Sequence, residues 1–219
     1  MIAMIETARL SARLGGVFFP LDLYDLAAEV SRLGYNLKGS MPPKQPTPLS
    51  VTGGAANPFA VREGIAIDVD TNRRIIGTTG VPLQNLVSSY QEIFDIFNRL
   101  GGPGATAEFH EFAARFRVDC QNSPAQSLAK AFLDAPIVKE MGQRLGLDMS
   151  LFGFRLRDSH TISIDPEYFE IQVEPNILLP NKILMATMIY RSEKLSDVVG
   201  KCAELAGKVE GLLSQITSS

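Results

Sequence analysis

Apolar and polar residues alternate along several stretches of the chain. In residues 8–14, apolar side chains at positions 8, 10, 12 and 14 alternate with polar ones at 9, 11 and 13. The same period of two runs through residues 65–70, 114–118 and 169–174. Because successive side chains of a β-strand point to opposite faces, this pattern predicts strands with one buried face and one polar face.

A different spacing, of three and four residues, marks residues 83–100 and the C-terminal residues from about 192 onward. Apolar residues at positions 83, 86, 93, 97 and 100 fall on one side of a helix, as do those at 195, 198, 205, 209 and 212. Such a stripe is typical of a helix with one face packed on a core. The residues that we predict to be buried against the sheet are Leu86, Phe94, Phe97, Val198, Leu205 and Val209.

These patterns occur twice in the same order. A shift of 104 positions carries residues 65–70 onto 169–174 and residues 10–14 onto 114–118. A shift of 112 carries the first helical stripe onto the second, because eight extra residues lie near 175–182. We interpret the matches as an internal repeat. The first repeat is residues 1–103 and the second is residues 104–219, together forming one pseudo-two-fold domain.

The remaining elements follow from turn residues and helix caps. Asp22 is placed to cap a helix, Pro82 suits a first helical turn, and residues 101–104 separate the two repeats. The first repeat is predicted to hold a strand at 8–19, a helix at 23–33, a loop at 38–48, and strands at 49–52, 59–70 and 73–78 before the helix that ends at 100. The second is predicted to hold a strand at 109–119, helices at 123–134 and 137–145, and strands at 151–157, 160–165, 168–174 and 183–190 before the last helix.

Each half therefore contains a strand, a helix, three or four antiparallel strands and a long helix. This order predicts an internally duplicated α+β fold, with a curved antiparallel sheet covered by helices on one face. The element order resembles the duplicated half-saddle of the TATA-binding-protein fold. The resemblance covers the whole chain, includes no sequence motif, and implies no function.

Composition narrows the class of protein. Of 219 residues, 45% are hydrophobic and 21% are charged, as in an ordinary globular protein. The net charge of −3 and the pI near 5.5 argue against a general nucleic-acid binder. No apolar run reaches the roughly 18 residues of a membrane span, so we expect a cytoplasmic protein with no membrane partner. Cys202 lies on the apolar face of the last helix, which predicts a buried free thiol.

Six arginines occupy the predicted polar face of the sheet. They are Arg9, Arg13, Arg115, Arg117, Arg155 and Arg157, and carboxylates at positions 68, 70, 170 and 174 share the same outward phase. One interpretation is cross-strand charge pairing on a solvated face. The other is a site for an anionic ligand, because the planar guanidinium fork matches phosphate and carboxylate groups.

The candidate anion site consists of Arg13, Arg115, Arg117, Arg155 and Arg157. Arg115 with Arg117 is the best pair, because residues two apart on one strand emerge on the same face. The mixed signs of this face do not favour duplex DNA, since minor-groove kinking uses apolar wedges and phosphate binding needs clustered cations.

No constellation of catalytic residues stands out. His110 and His160 show no metal-ligand spacing, and we expect both to be solvated turn residues. Cys120 and Cys202 form neither a metal motif nor a disulfide framework. The sequence therefore predicts no cofactor and no metal, and it does not favour an enzyme.

Two hypotheses of different class remain. The first is a non-enzymatic binding or assembly module that uses the polar sheet face or a helix edge. The second is a protein that binds a small anionic molecule, or an enzyme, with a pocket between the long helices and the curved sheet. An unknown protein partner, a small anionic ligand and a homodimer formed through the last helix all stay open.

Overall fold

The residues with alternating patterns form one antiparallel sheet, and the residues with helical spacing form helices that pack on it. The computed structural model describes residues 3–15, 22–38, 58–101, 106–132, 136–146 and 151–218. Within these ranges the chain forms nine strands and five helices. In chain order they are β1 (Met4–Leu14), α1 (Leu23–Arg32), β2 (Asn36–Leu37), β3 (Ala60–Arg62), β4 (Ile65–Asp70), β5 (Ile75–Thr79), α2 (Leu83–Gly101), β6 (Ala107–Asp119), α3 (Pro124–Ala131), α4 (Pro136–Leu145), β7 (Phe154–Arg157), β8 (Tyr168–Pro175), β9 (Ile183–Ser192) and α5 (Leu195–Ser218).

The strands lie in the order β2-β3-β4-β5-β1-β6-β9-β8-β7, and every neighbouring pair is antiparallel. The two longest strands, β1 and β6, pair at the centre of the sheet, with Ala8 opposite Ala114 and Leu10 opposite Phe112. The predicted α+β class with one antiparallel sheet is therefore confirmed.

The two long helices contact the sheet on either side of its centre. α2 contacts β1, β4 and β5, whereas α5 contacts β6 and β9. Phe97 and Tyr90 of α2 and Phe112 and Phe116 of β6 are fully buried in the layer between helices and sheet. This layer is the core, and it holds the apolar positions whose alternation predicted the strands.

The predicted core positions are confirmed with one exception. Leu86, Phe94, Phe97, Val198 and Val209 are buried, and Cys202 is a buried free thiol. Leu205 is only half-buried, because the buried stripe of α5 passes through its neighbour Ala206. Both positions satisfy the helical spacing, so the spacing alone does not decide between them.

The caps of the short helices also match the sequence. The Asp22 side chain accepts a hydrogen bond of 2.8 Å from the backbone N–H of Tyr24, and α1 begins at the next residue, Leu23. Ser123 is the N-cap of α3, with Pro124 in its first turn. Both helices begin within one residue of the predicted positions, although Ser123, unlike Asp22, makes no side-chain capping hydrogen bond.

Two predicted strands are wrong. Residues 59–70 form β3 and β4, separated by a turn in which Glu63 and Gly64 have positive φ angles of 49° and 80°. Residues 160–165 form turns in which the side chains of Asp158 and Asp165 accept hydrogen bonds from the backbone N–H groups of His160 and Ile162. Aspartate side chains compete in this way with the ladder of a sheet.

Some predictions fall on residues outside the described ranges. They are the continuation of the first strand through 16–19, the loop at 39–48, the strand at 49–52, the break between the repeats at 102–104 and the end of the predicted helix at 133–134. Strand β2 is an element that the sequence did not predict. In the described part of the chain, no helix combines the length and apolar content needed to cross a bilayer.

Replacing Phe97 by alanine is expected to lower the free energy of unfolding by about 3–5 kcal/mol, because the ring is fully buried beside Phe94, with ring centroids 5.6 Å apart. A denaturant titration measures the change. Phe152→Ala is the control, since Phe152 is 58% exposed and its loss should cost less than about 0.5 kcal/mol. A cost below about 1 kcal/mol for Phe97→Ala would contradict the assigned core.

Candidate functional site

The sheet has a second face, turned away from α2 and α5, which we call the polar face. The registers of the strands place one continuous set of charged residues on it, in cross-strand rows. The set comprises Arg9, Arg13, Asp68, Asp70, Glu111, Arg115, Arg117, Asp119, Arg155, Arg157, Glu170, Glu174 and Arg191.

Five of the six arginines predicted for this face form ion pairs. The pairs are Arg9–Asp68 at 3.3 Å, Arg13–Glu108 at 2.9 Å, Arg115–Glu6 at 3.3 Å, Arg117–Asp119 at 2.9 Å and Arg155–Glu170 at 2.6 Å. Arg157 is exposed and lies opposite Glu170 in the β7–β8 register. The polar face is thus a lattice of both signs, and most of its pairs are solvent-exposed and individually weak.

Glu170 is the most buried carboxylate at the β7–β8 end of this lattice. It accepts hydrogen bonds from the Tyr168 hydroxyl and from Arg155. Burial by itself raises the pKa of the Glu170 carboxyl, but the hydrogen bonds from Arg155 and Tyr168 outweigh burial, so the pKa is lowered. The carboxylate is therefore held ionised as a structural partner of Arg155.

Four arginines from three separate segments converge at one cavity of about 370 Å³, which we call the arginine cavity. Arg13 comes from β1, Arg73 and Arg74 from the turn between β4 and β5, and Arg191 from β9. The other lining residues are Ser11, Asn72, Ile75, Phe109 and Glu111.

Local chemistry positions the two arginines of the turn. The Asp70 side chain accepts a hydrogen bond of 2.9 Å from the backbone N–H of Arg73, which closes the turn. Arg74 has a positive φ of 58°. This conformation brings Arg74 to Glu108 at 3.3 Å, the same carboxylate that Arg13 contacts at 2.9 Å. One carboxylate therefore serves two guanidinium groups at the edge of the cavity.

Arg191 is the most firmly held arginine of the cavity. Its Nε pairs with Glu111 at 2.6 Å, and its Nη1 donates to the carbonyl of Ser163 at 2.6 Å. The guanidinium carbon also lies 4.7 Å from the ring centroid of Phe109 and 5.3 Å from that of Tyr168. Stacking and hydrogen bonding together fix the orientation of this side chain.

A second cavity, of about 460 Å³, adjoins the first through Arg73 and Ile75, which line both. We call it the Asp68 cavity. Its charged lining residues are Arg9, Asp68, Asp70, Arg73 and Arg115, and its other lining residues are Thr7, Ala8, Ile75, Thr79, Ala113, Ala114 and Thr187. Small side chains at alternate positions of β1, β5, β6 and β9 leave this part of the face concave.

Gly77 also contributes to the concave shape, because it places no side chain on the polar face beside Asp68. It lies between Asp68 and Ser11 in one cross-strand row. A Cβ atom at Gly77 would lie 2.5 Å from the carbonyl oxygen of Leu10, well inside van der Waals contact. Only glycine therefore fits here while β1 and β5 keep this spacing.

The structure does not bring the five predicted anion-site residues together. Arg13 lines the arginine cavity and Arg115 lines the Asp68 cavity, whereas Arg117, Arg155 and Arg157 line neither of the two. Strands β1 and β7 are four neighbours apart, which is about 19 Å at the usual strand spacing. The predicted pair, Arg115 and Arg117, is engaged by Glu6 and Asp119.

Sequence reasoning missed Arg73, Arg74 and Arg191. Arg191 has the phase of the polar face of β9, and it was missed because the strand predicted to end at residue 190 continues to Ser192. Arg73 and Arg74 lie in a turn, where alternation carries no information about direction.

The prediction for His110 is wrong, whereas His160 lies in an exposed turn as predicted. His110 is 3% exposed and faces the core, where its Nδ1 shares a hydrogen bond of 2.7 Å with the Tyr90 hydroxyl. The Phe94 ring packs edge-on, 4.7 Å from the imidazole centroid. Side chains alternate between the two faces along β6. Arg115 and Arg117 point outward, and His110 is at a position of the opposite phase, so its burial follows from the strand itself.

The described residues contain no group of three or more histidines, cysteines or acidic residues that could hold a metal ion. Comparison of the chain with protein-family models, with curated proteins and with solved structures finds no match. Inference about function therefore rests on the side chains of the polar face.

Burial lowers the pKa of His110 to about 4, and this predicts a pH-dependent stability. In the unfolded chain the imidazole titrates near 6.5, so between pH 6.5 and 4 the unfolded state binds a proton that the folded state does not. As far as His110 is concerned, the free energy of unfolding is therefore highest above pH 6.5 and falls by up to about 3 kcal/mol as the pH drops toward 4.

Denaturant titrations of the wild type and of His110→Gln across this pH range measure that contribution, and His160→Gln is the control that should retain it. The NMR titration of His110 gives its pKa directly. A value near 6.5 would contradict the assignment.

Proposed function

We propose that the chain is a binding module that takes an anionic ligand in the arginine cavity of its polar face. The observation that carries the proposal is the convergence of Arg13, Arg73, Arg74 and Arg191 on one concave site. In the ion pairs that the structure describes, these guanidinium groups contact the carboxylates of Asp70, Glu108 and Glu111.

A competing anion can displace Glu108, the carboxylate that Arg13 and Arg74 share. Glu108 is 38% exposed and contacts Arg13 and Arg74, which are 48% and 31% exposed. Exposed ion pairs of this kind contribute about 0–1 kcal/mol, so a ligand that takes the place of Glu108 loses little. Arg191 is held in place before the ligand arrives, and this reduces the entropy lost on binding.

The size and charge of the site favour a small ligand. A cavity of about 370 Å³ is near the lower end of the range for small-molecule sites, which run from about 300 to 1,000 Å³. Phosphate and carboxylate groups are the chemistry that a cluster of guanidinium forks binds best. The acidic members of the lattice, including Glu6, Asp119 and Glu170, oppose the long phosphate backbone of duplex DNA.

The interface between helices and sheet supports the alternative pocket less well. Large side chains that are fully buried, such as Tyr90 and Phe97, occupy this layer. The apolar stripe of α5, including Val198 and Leu213, is buried within the same chain, which does not favour a homodimer formed through that stripe. The binding function is therefore assigned to the polar face.

We also infer that residues 1–103 and 104–219 are two copies of one unit in a single pseudo-two-fold domain. From the centre of the sheet outward, the strand order is β1, β5, β4, β3, β2 on one side and β6, β9, β8, β7 on the other, so four strands of each side correspond and β2 is additional. The central strand is followed by one short helix, α1, in the first half and by two, α3 and α4, in the second, and each half ends in a long helix. This is the element order that resembles the half-saddle of the TATA-binding-protein fold.

Isothermal calorimetry with inorganic phosphate, ATP, polyphosphate and single-stranded RNA tests the anion site. The variant Arg13→Gln/Arg74→Gln is expected to bind at least tenfold more weakly than the wild type, a change of about 1.4 kcal/mol. The charge-matched control Arg117→Gln/Arg157→Gln, which changes two arginines that line neither cavity, is expected to bind as the wild type does. Absence of binding by the wild type, or equal losses in the two variants, would contradict the proposal.

A further inference from the structure

Asp68 is a charged residue at the centre of a half-sheet, and it is only 2% exposed. Its Oδ2 atom accepts two hydrogen bonds, one of 2.5 Å from the Thr79 hydroxyl and one of 3.3 Å from Nε of Arg9. Its Oδ1 atom is buried, yet accepts no hydrogen bond from any residue that the structure describes. One half of the carboxylate is therefore satisfied and the other half is not.

Folded proteins leave few buried polar atoms without a partner, because the lost interaction with water is not replaced. An unpartnered oxygen on a buried carboxylate is therefore a feature that needs an explanation. Asp68 itself lines the Asp68 cavity, together with Arg9 and Thr79, the two residues that hold its other oxygen. The unpartnered acceptor thus belongs to a residue at the wall of a cavity of about 460 Å³.

The same cavity carries two guanidinium groups suited to an anion. Arg9 lies opposite Ala113 in the β1–β6 register, and Arg115 follows two residues later on β6. The two arginines are thus diagonal neighbours on one face, within reach of a common group. The contact between Arg9 and Asp68 uses one of the five N–H donors of that guanidinium, and Arg115 is 52% exposed.

Acceptor and cations are arranged in order along the cavity. Asp68 on β4 lies beside Arg9 on β1, and Arg9 lies beside Arg115 on β6. A ligand that donates an N–H group to Asp68 can therefore direct an anionic group to the two arginines. The threonines at positions 7, 79 and 187 add neutral hydrogen-bonding groups to the wall.

We propose that the Asp68 cavity binds a small zwitterion of the amino-acid type. Its carboxylate is bound by Arg9 and Arg115, and its ammonium group donates to Oδ1 of Asp68 once a rotation of the carboxyl group turns this buried atom into the cavity. This site goes beyond the anion site of the arginine cavity, because it requires a buried acceptor and a different pair of arginines. The amine is the only group that distinguishes such a ligand from a simple anion.

Calorimetry on the full chain with matched ligands separates these requirements. The probes are the standard amino acids, with two comparisons that remove only the amine, glutamate against glutarate and alanine against propionate. At least one amino acid is expected to bind, and to bind at least tenfold more tightly than its deaminated counterpart. If no amino acid binds, or if the amine makes no difference, the proposal is overturned and Asp68 Oδ1 is only hydrated.

Two variants then assign the groups. Asp68→Asn keeps the shape of the side chain but removes its charge, and Arg115→Gln removes the exposed arginine without touching Asp68. Each is expected to weaken amino-acid binding at least tenfold, whereas Arg117→Gln, on the same strand and outside the cavity, leaves binding unchanged. Unaltered amino-acid binding in Arg115→Gln overturns the proposal even if Asp68→Asn does not fold.

Titration of the same variants with inorganic phosphate distinguishes this site from the arginine cavity. Asp68→Asn is expected to retain the phosphate affinity of the wild type while it loses amino-acid binding. Equal losses of both ligands in a folded Asp68→Asn variant would show one shared site and would overturn the assignment of a separate zwitterion site.

Discussion

The pairing of β1 with β6 is the interaction on which the rest of the structure depends. These two strands are the longest in the sheet, and all other strands extend outward from them. Both cavities lie across this pair, since Arg13 and Phe109 line one cavity and Arg9 and Arg115 line the other. A slip of one residue in this register would turn every side chain of a strand to the opposite face, exchanging core residues for charged ones. The register therefore fixes the core and the polar face together.

Much of the fold was predictable because one face of the sheet is buried and the other is charged. Under that constraint apolar residues recur at every second position in residues 8–14 of β1 and in β4, and helical stripes are equally clear in α2 and α5. Prediction was wrong where local chemistry competes with the ladder. Gly64 in an apparent strand marked a turn, and the side chains of Asp158 and Asp165 accept hydrogen bonds from the nearby backbone N–H groups of His160 and Ile162. Those signals were present in the sequence, but they are weaker than a long hydrophobic pattern.

The candidate site was less predictable than the fold. The alternation along a strand indicates which face of the sheet a side chain occupies, and it correctly predicted Arg13 and Arg115 on the polar face. Alternation does not indicate which strands are neighbours in the sheet. The predicted anion site therefore centred on two arginines of one strand, and not on arginines that converge from several strands. The meeting of Arg13, Arg74 and Arg191 requires the order β5-β1-β6-β9, which no local pattern encodes. The burial of Asp68 on a face expected to be solvated has the same origin.

Hydrogen exchange of the backbone amides in β1 and β6 tests our central proposal, that the two halves form one domain through this strand pair. If the claim is correct, opening the pair exposes the core of both halves at once. The amides of both strands should then exchange only through global unfolding, with a free energy equal to that from denaturant titration. Exchange of the β1 amides through a smaller opening that leaves β6 protected would contradict the account, because the halves would then unfold as separate units.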